Sequence, residues 1–401
     1  MKGKLKIIML STDYLPNIGG VAAHIFNLTN ALQKMGHEIC VVNPIQGQEW
    51  KINLTIENGV QVCRLVYPFD EKKLNRFLNR IKITVKGINQ VIKTLGGVDI
   101  IHQHDYIGLN LAILMQRKNR TSLIKPKWIW TNHTSQFVKD YKKVIKRQFL
   151  KIAYKGVDGI ITVSREIENM TKEIFKEKPV CYIPNGVDIE RFNPYINVER
   201  KKYGLSDEDF VILCPRRMVE KNGIIYLAYA VHKLINKYPS IKWKFVFMGD
   251  EPSINTDKNY IRTVKDVLTE PYNKGYVKYL GNVPMEKMPE INALADIVVI
   301  PSLIEAVSLS ALEALASGKP VIATDVGGLP EIIFHNNTGI LVPPREPEAI
   351  AVALERLYFD DVARRRLAMN GTDMVSKKYS WSSIAQMTEE FYKTLLLKNQ
   401  I

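Results

Sequence analysis

The sequence predicts an α/β protein of two doubly wound domains, each a parallel sheet covered by helices. Three observations carry that reading. Short continuous apolar runs, such as Ile7-Ile8-Met9-Leu10, Phe210-Val211-Ile212-Leu213 and Ile297-Val298-Val299-Ile300, have the composition of strands buried on both faces. They alternate with loops bearing Gly or Pro and with apolar residues at helical spacing. At 401 residues the chain is too long for one ordinary core. The pattern restarts after a turn-rich stretch that begins Pro184-Asn185-Gly186 and ends Phe192-Asn193-Pro194. This divides the chain into 1–189 and 190–379, followed by a terminal helical segment, 380–401.

In the first half, Lys6 to Leu10 is the first strand, and Ser11 to Gly20 is a loop containing Pro16 and the pair Gly19-Gly20. Val21, Ile25, Leu28 and Leu32 then mark a helix that Gly36 ends, and Ile39 to Val42 is the next strand. Two glycines in the first βα turn let a helix N-terminus approach a phosphate closely, although G-x-G-x-x-G is absent. Residues 53–67 read as short strands around an Asn58-Gly59 turn. Residues 72–95 read as a helix with Leu74, Phe77, Leu78, Ile81, Val85, Ile88 and Ile92 on one face. That face fits packing on the domain or dipping into a lipid interface. Two strands then end in polar residues: 99–105, with His102 and His104, and 128–134, with His133. Site residues collect at such carboxyl ends. Strands at 159–164 and 180–183 complete the half.

In the second half, a strand at 210–214 leads through Pro215-Arg216-Arg217 and Lys221-Asn222-Gly223 into a helix. Arg and Lys at the mouth of a parallel strand suit a diphosphate, and a basic surface turn is the bland alternative. Phe245 to Met248 ends in Gly249-Asp250, and Val277 to Val283 forms the next strand and turn. The strand 297–300 is stopped by Pro301. Glu305 follows in the loop, a helix runs from Ser310 to Ala316, and Gly318 and Pro320 end it. Glu305 is thereby placed outside a strand's carboxyl end and Glu313 in the first turns of the next helix. The backbone N–H groups of Val307, Ser308 and Leu309 would face the same space and suit an anion. Each acid also has a structural reading. Glu305 can be a solvated loop residue, and Ser310 with Glu313 fits a Ser-x-x-Glu capping box.

The string from Glu305 to Glu313, followed by Ala-Ser-Gly-Lys-Pro-Val-Ile-Ala-Thr and Gly327-Gly328, resembles the E-x7-E segment of retaining nucleotide-sugar glycosyltransferases of the GT-B fold, family 4. The resemblance extends over nearly the whole chain and is strongest from 205 to 345. It implies two Rossmann-like domains facing across a cleft, the first on the acceptor side and the second binding the donor. The terminal helix is implied to cross back to the first domain, and 184–188 to be the hinge. It also implies transfer of a sugar from a UDP- or GDP-sugar to an acceptor hydroxyl, with retention at the anomeric carbon, in glycan, glycolipid or small-glycoside synthesis. In the terms of the family, Arg216 and Lys221 hold the diphosphate, helped by Gly19, Gly20 and the amides of Val307, Ser308 and Leu309. Glu313 holds the ribose, and Glu305 contacts the donor sugar. His133, in Thr-Asn-His-Thr, borders the reaction centre. Gly249, Asp250 and Val283 lie near the base. The family's Gly-Arg-x4-Lys motif is altered here, with Pro215 for Gly and Arg217 for an apolar residue, which leaves open which arginine makes the contact. Two glutamates in one short segment do not flank a scissile bond as a glycosidase's carboxylates do.

Lys and Arg number 56 against 41 Asp and Glu, a net charge of +15 that points to an anionic partner. The excess is concentrated: seven basic residues and no acid lie between Lys72 and Val98, and seven with only Asp140 opposing between Lys139 and Lys155. No nucleic-acid motif accompanies them, so nucleic acid is not an expected partner. A solvated basic face and a basic amphipathic helix on an anionic membrane, at 72–93, both remain open. No apolar run is long enough to span a bilayer, and no cleavable leader is read at the N-terminus. Cys40, Cys63, Cys181 and Cys214 are scattered without C-x-x-C spacing, as buried thiols of a reducing compartment are. A cytoplasmic protein is expected, peripheral on the inner membrane face if the basic helix binds lipid. No metal site is read, because His102 and His104 lack a third ligand, and no cofactor beyond the donor substrate is expected. The other readings left open are a sugar phosphorylase or synthase of the same fold and a nucleotide-sugar-binding protein without turnover.

Overall fold

The computed structural model describes residues 3–16, 20–105, 109–118, 126–133, 135–250, 258–305 and 308–397. The chain divides into two compact units, Met1–Asn185 with Trp381–Ile401, and Gly186–Ser380. The division falls at Asn185 rather than at 189, because Val187 already bridges to Ser380 of the second unit.

The first unit opens with β1 (Lys6–Leu10), α1 (Gly20–Lys34) and β2 (Glu38–Gly47). A hairpin of β3 (Lys51–Glu57) and β4 (Val60–Pro68) follows. Its two-residue turn puts Asn58 at φ 50° and Gly59 at φ 78°, a pair of left-handed residues that matches the twist of the strands. Then come α2 (Lys73–Thr94), β5 (Ile100–Gln103), α3 (Asn110–Lys118), β6 (Lys127–Asn132), α4 (Ser135–Tyr141), α5 (Val144–Ala153), β7 (Gly159–Thr162), α6 (Arg165–Ile174) and β8 (Val180–Tyr182). The strand order is β3-β4-β2-β1-β5-β6-β7-β8, with β3 antiparallel to β4. The order reverses between β1 and β5, so the crevice of this sheet lies at their carboxyl ends.

The second unit contains β9 (Phe210–Cys214), α7 (Ile224–Lys237), β10 (Trp243–Phe247), α8 (Lys258–Val267), α9 (Thr269–Asn273), β11 (Val277–Tyr279), α10 (Met288–Leu294) and β12 (Ile297–Ile300). It continues with α11 (Leu309–Ala316), β13 (Val321–Thr324), α12 (Leu329–Ile332), β14 (Gly339–Val342), α13 (Pro347–Phe359) and α14 (Asp361–Lys378). Its six strands run in the order β11-β10-β9-β12-β13-β14, and every neighbouring pair is parallel. Successive residues of β9 enter different cores: Ile212 packs with the α7 and α13 side, and Leu213 with the α10 and α11 side. Burial on both faces is why these strands read as unbroken apolar runs rather than as alternation. The reversal here falls between β9 and β12.

The last helix, α15 (Trp381–Leu397), belongs to the first unit. Its Trp381, Ile384, Phe391 and Tyr392 pack into the core that holds Ile25 and Leu28 of α1. The single apolar face read for α2 is divided by the fold. Ile81, Ile88 and Ile92 are buried, whereas Leu74, Phe77 and Leu78 are exposed. Among the described residues no helix is long and apolar enough to cross a membrane.

Candidate active site

The loops leaving β9 and β12, the two strands at the reversal of the second sheet, are stitched together by their backbones. Pro301 ends β12, and the N–H groups of Leu303 and Ile304 donate to the Lys221 carbonyl at 2.8 and 3.2 Å. Gly223 sits at φ +64°, and a Cβ there would lie 2.0 Å from the Pro301 carbonyl oxygen. Gly327 sits at φ +54°, and a Cβ there would lie 1.7 Å from the Glu305 carbonyl oxygen. Glycine at both positions is what allows three strand-end loops to close on one another.

That closure brings Arg216 to Glu305. The Arg216 Nη2 donates to the Glu305 carboxylate and, at 2.9 Å, to Asn222 Oδ1. Asn222 is held in turn by donating to the Arg217 carbonyl at 2.8 Å. The Arg216 Nε is buried and, among the described residues, without a hydrogen-bond partner. The neighbouring Arg217 is exposed. The two arginines differ in surroundings: Arg216 is held against Glu305 and Asn222, whereas the side chain of Arg217 is exposed. Lys221 holds the loop through its backbone and leaves its side chain exposed beside the pair.

The capping box read from Ser310 and Glu313 does not form. Helix α11 begins at Leu309, its cap is Ser308, whose Oγ accepts from the Ala311 N–H at 3.3 Å, and Ser310 donates to the Pro215 carbonyl at 3.2 Å. Both serines precede an apolar run, and it is the contact with the β9 loop that claims Ser310. Glu313 is thereby free of a capping role. Burial pushes its carboxyl up to about 7, against the opposing fields of Arg191 and Arg216. No acidic residue stands in the first turn of α11, whose Ala311 N–H is taken by the Ser308 cap. Val307 and Gly19 lie outside the described residues. Gly20 is the first residue of α1.

Gly249 and Asp250 follow β10. The Gly249 N–H donates to the Gly281 carbonyl at 2.7 Å. The Asp250 carboxylate accepts from the Gly281 N–H at 3.0 Å and pairs with Lys265 at 2.7 Å. Val283 is half-buried against the core. These contacts fix the β10 and β11 loops to each other.

In the first unit the reversal between β1 and β5 holds a cluster of histidines. His104 Nδ1 lies 3.1 Å from His133 Nε2. His24, from α1, has its ring centroid 4.5 Å from that of His133, and its Nδ1 lies 2.8 Å from Asn185 Oδ1. His102 sits behind them, between Tyr392 Oη at 2.6 Å and Thr131 Oγ1 at 2.5 Å. Burial holds the imidazoles of His104 and His133 well below their ordinary value, with neighbouring histidines adding to it. It also lowers His24 to about 4 and His102 to about 3. All four are neutral near pH 7. Beside them the Thr12 N–H donates to the Asp105 carboxylate at 3.0 Å, tying the β1 loop to the β5 loop.

Sequence order offered no third ligand next to His102 and His104. Folding supplies a different trio, His24, His104 and His133, whose ring nitrogens lie within 4.8 Å of one another. Neutral imidazoles are the donors a zinc ion takes, so this trio is where an ion would be held if one bound. His24 escaped the sequence reading because a single His inside an Ala- and Leu-rich helix carries no signal. Asn185 read only as a turn residue.

A cavity of about 660 Å³ flanks the same β1 loop. Thr12, Tyr14, Asn43, Arg64 and Arg80 are among the residues that line it. Arg64 is anchored by Glu57, by Asn43 Oδ1 at 2.6 Å and by the Leu15 carbonyl at 2.5 Å. The Tyr14 hydroxyl is buried and has no hydrogen-bond partner among the described residues.

Two family models match the chain: Glycosyltransferase Family 4 over residues 18–191 and Glycosyl transferases group 1 over residues 209–360. An uncharacterized glycosyltransferase of Methanocaldococcus jannaschii is 29% identical, with 97% of this chain and 98% of that protein covered. A D-inositol 3-phosphate glycosyltransferase of Corynebacterium urealyticum is 25% identical over 98% of this chain and 96% of its own length. Among solved structures, sucrose-phosphate synthase from Thermosynechococcus elongatus superposes with a TM-score of 0.77 at 23% identity, covering 98% of this chain and 99% of the other.

Proposed function

We propose, for a chain that belongs to the family 4 glycosyltransferases of the GT-B fold, that it moves a sugar from a nucleoside diphosphate sugar to an acceptor hydroxyl with retention at the anomeric carbon. The observation that carries the donor half is the Arg216 side chain. It is oriented by Glu305 and Asn222, and its buried Nε is left without a partner beside an exposed lysine and a helix N-terminus. A guanidinium, an ammonium and the start of a helix, carried on loops that bond to one another, suit a diphosphate. They stabilise the negative charge that grows on it as the bond to the sugar breaks. In this reading Arg216, Lys221 and the α11 terminus hold the diphosphate, Glu313 accepts from the ribose hydroxyls and Glu305 contacts the sugar.

The acceptor half is assigned to the first unit. A neutral His133 borders the reaction centre, where it exchanges hydrogen bonds with hydroxyl groups without adding positive charge. His104 fixes its ring. The acceptor occupies the cavity lined by Thr12, Tyr14 and Asn43, with the orphaned Tyr14 hydroxyl as one of its partners. A polyol is the class of acceptor favoured, in keeping with the inositol phosphate acceptor in the name of the Corynebacterium relative. Charge neutralisation by side chains and backbone makes a metal ion unnecessary in this scheme.

The test is thermal unfolding of the wild type and Lys221→Ala against nucleoside diphosphates and their sugars. A ligand at ~100 times its Kd adds roughly 2.7 kcal/mol to the folded state. One base should stabilise the wild type and lose most of its effect in the variant. If no nucleotide shifts the wild type, the donor assignment fails.

A further inference from the structure

We propose, independently of the transferase reading, that the first unit docks on an anionic lipid surface through the outer side of its α2–α3–α5 layer, with α5 as the element that enters the interface. The connections β4 to β5, β5 to β6 and β6 to β7 all step the same way across the sheet. Right-handed crossovers therefore place α2, α3 and α5 on one face, opposite α1 and α15. The three are neighbours: Gln116 of α3 donates to Asn89 of α2 at 3.4 Å, and Asn110 of α3 donates to the Ala153 carbonyl of α5 at 2.8 Å.

This layer leaves large apolar side chains in water on each of its helices. Leu74 and Leu78 of α2 are exposed, as is Leu111 of α3. On α5 the exposure is greatest, with Ile145 at 84%, Ile152 at 71% and Phe149 at 49%. Helix α5 has ten residues, and Leu150 is its one fully buried side chain. A helix this short gains little stability in water from its own hydrogen bonds, and its main apolar face has no cover among the described residues.

Charge selects the occupant. Lys142, Lys143, Lys146, Lys151 and Lys155 are exposed around that face, and the one acid between Lys139 and Lys155, Asp140, is buried. Basic residues ringing exposed Ile and Phe are the pattern of an interfacial helix on anionic lipid. The arrangement also limits what helix 72–93, read as a possible membrane helix, can offer a surface. Most of its apolar face, from Ile81 onward, packs inside the unit, so α2 contributes only its first turns. The first turns of α2 and Leu111 follow the carboxyl ends of β4 and β5, and the Ile152 end of α5 meets the start of α3 there through the bond from Asn110 to the Ala153 carbonyl. This is also the end where His104 and His133 emerge. The cavity that flanks the β1 loop opens in the same unit.

The experiment is vesicle flotation of the full chain on phosphatidylcholine with and without phosphatidylglycerol, at low and high salt. Two multiple variants are compared: Ile145→Ser, Phe149→Ser, Ile152→Ser, and Lys143→Ser, Lys146→Ser, Lys151→Ser. All six positions are exposed, and unchanged unfolding midpoints will show that the fold is kept. The wild type should float only with anionic vesicles and be released by salt. The charge variant should lose roughly fivefold in partitioning per lysine removed. The apolar variant should lose at least about tenfold. Absence of the wild type from anionic vesicles at low salt overturns the proposal, as does equal flotation of the wild type and the apolar variant. A self-association lost in the apolar variant, without vesicle binding, would assign the face to a second copy of the chain instead. Salt-sensitive duplex binding unaffected by the apolar changes, again without vesicle binding, would assign the charge to nucleic acid.

Discussion

Replacing Glu313 by Gln should make the protein more stable at pH 8 and worse at holding its donor. Burial raises the Glu313 carboxyl from 4.5 to about 7 in the folded chain. The folded state therefore binds its proton more tightly than the unfolded state does. Between about pH 4.5 and about pH 7 the folded carboxyl keeps its proton while the unfolded one has lost it. Stability falls as pH rises through that window and then levels off. Each unit of difference corresponds to 1.36 kcal/mol, so the full loss is at most about 3 kcal/mol at pH 8 and near zero at pH 4. Gln keeps the shape and has no charge to desolvate. In urea unfolding the variant should match the wild type near pH 4 and exceed it by about 1–3 kcal/mol near pH 8, with an unchanged slope. If the carboxylate accepts from ribose hydroxyls, its loss should weaken nucleotide binding by about 10- to 100-fold, the range for a hydrogen bond to a charged group. A variant that is less stable than the wild type at pH 8 would refute the burial argument. One that binds nucleotide as tightly would refute the ribose assignment while leaving the burial argument intact.

Two further outcomes follow from the geometry of the loops and of the histidines. Gly327→Ala places a Cβ 1.7 Å from the Glu305 carbonyl oxygen at φ +54°, so it should lower stability by at least about 2 kcal/mol and displace Glu305; a midpoint within experimental error of the wild type would show that the β13 loop yields freely. Dialysis against a strong chelator should leave transfer activity unchanged, because the leaving-group charge is met by Arg216, Lys221 and the α11 terminus; loss of activity restored by zinc would instead assign an ion to His24, His104 and His133, whose nitrogens lie within 4.8 Å of one another.

What could be read in advance was what the chain states locally. The apolar runs named β1, β9 and β12 because burial on both faces leaves no alternation to confuse them with anything but short helix. Pro301 and Gly318 bounded the segment that carries Glu305 and Glu313. The errors came where a local pattern competed with a distant partner. Ser308 and Ser310 are equally plausible caps in sequence. The Pro215 carbonyl, at the end of β9, takes the hydroxyl of Ser310 and leaves the cap to Ser308. Likewise Arg216 and Arg217 are indistinguishable as letters. The fold separates them by giving Arg216, and not Arg217, the side chains of Glu305 and Asn222 as partners.

The histidines extend the same argument to chemistry. His24 stands in a helix whose other inward residues are mostly apolar, and its neighbours in sequence, Ala23 and Ile25, do nothing to mark it. It gains meaning because the connections that leave β1 and β5 part to opposite faces at the reversal of the sheet, where a side chain of α1 meets those that follow β5 and β6. The burial that gathers the rings also keeps them uncharged, so the first unit offers hydrogen-bonding groups without charge, whereas the second offers cations to an anionic donor. A neutral imidazole exchanges hydrogen bonds with hydroxyl groups without attracting an anion. Neutrality there leaves the diphosphate to the second unit and the hydroxyl chemistry to the first.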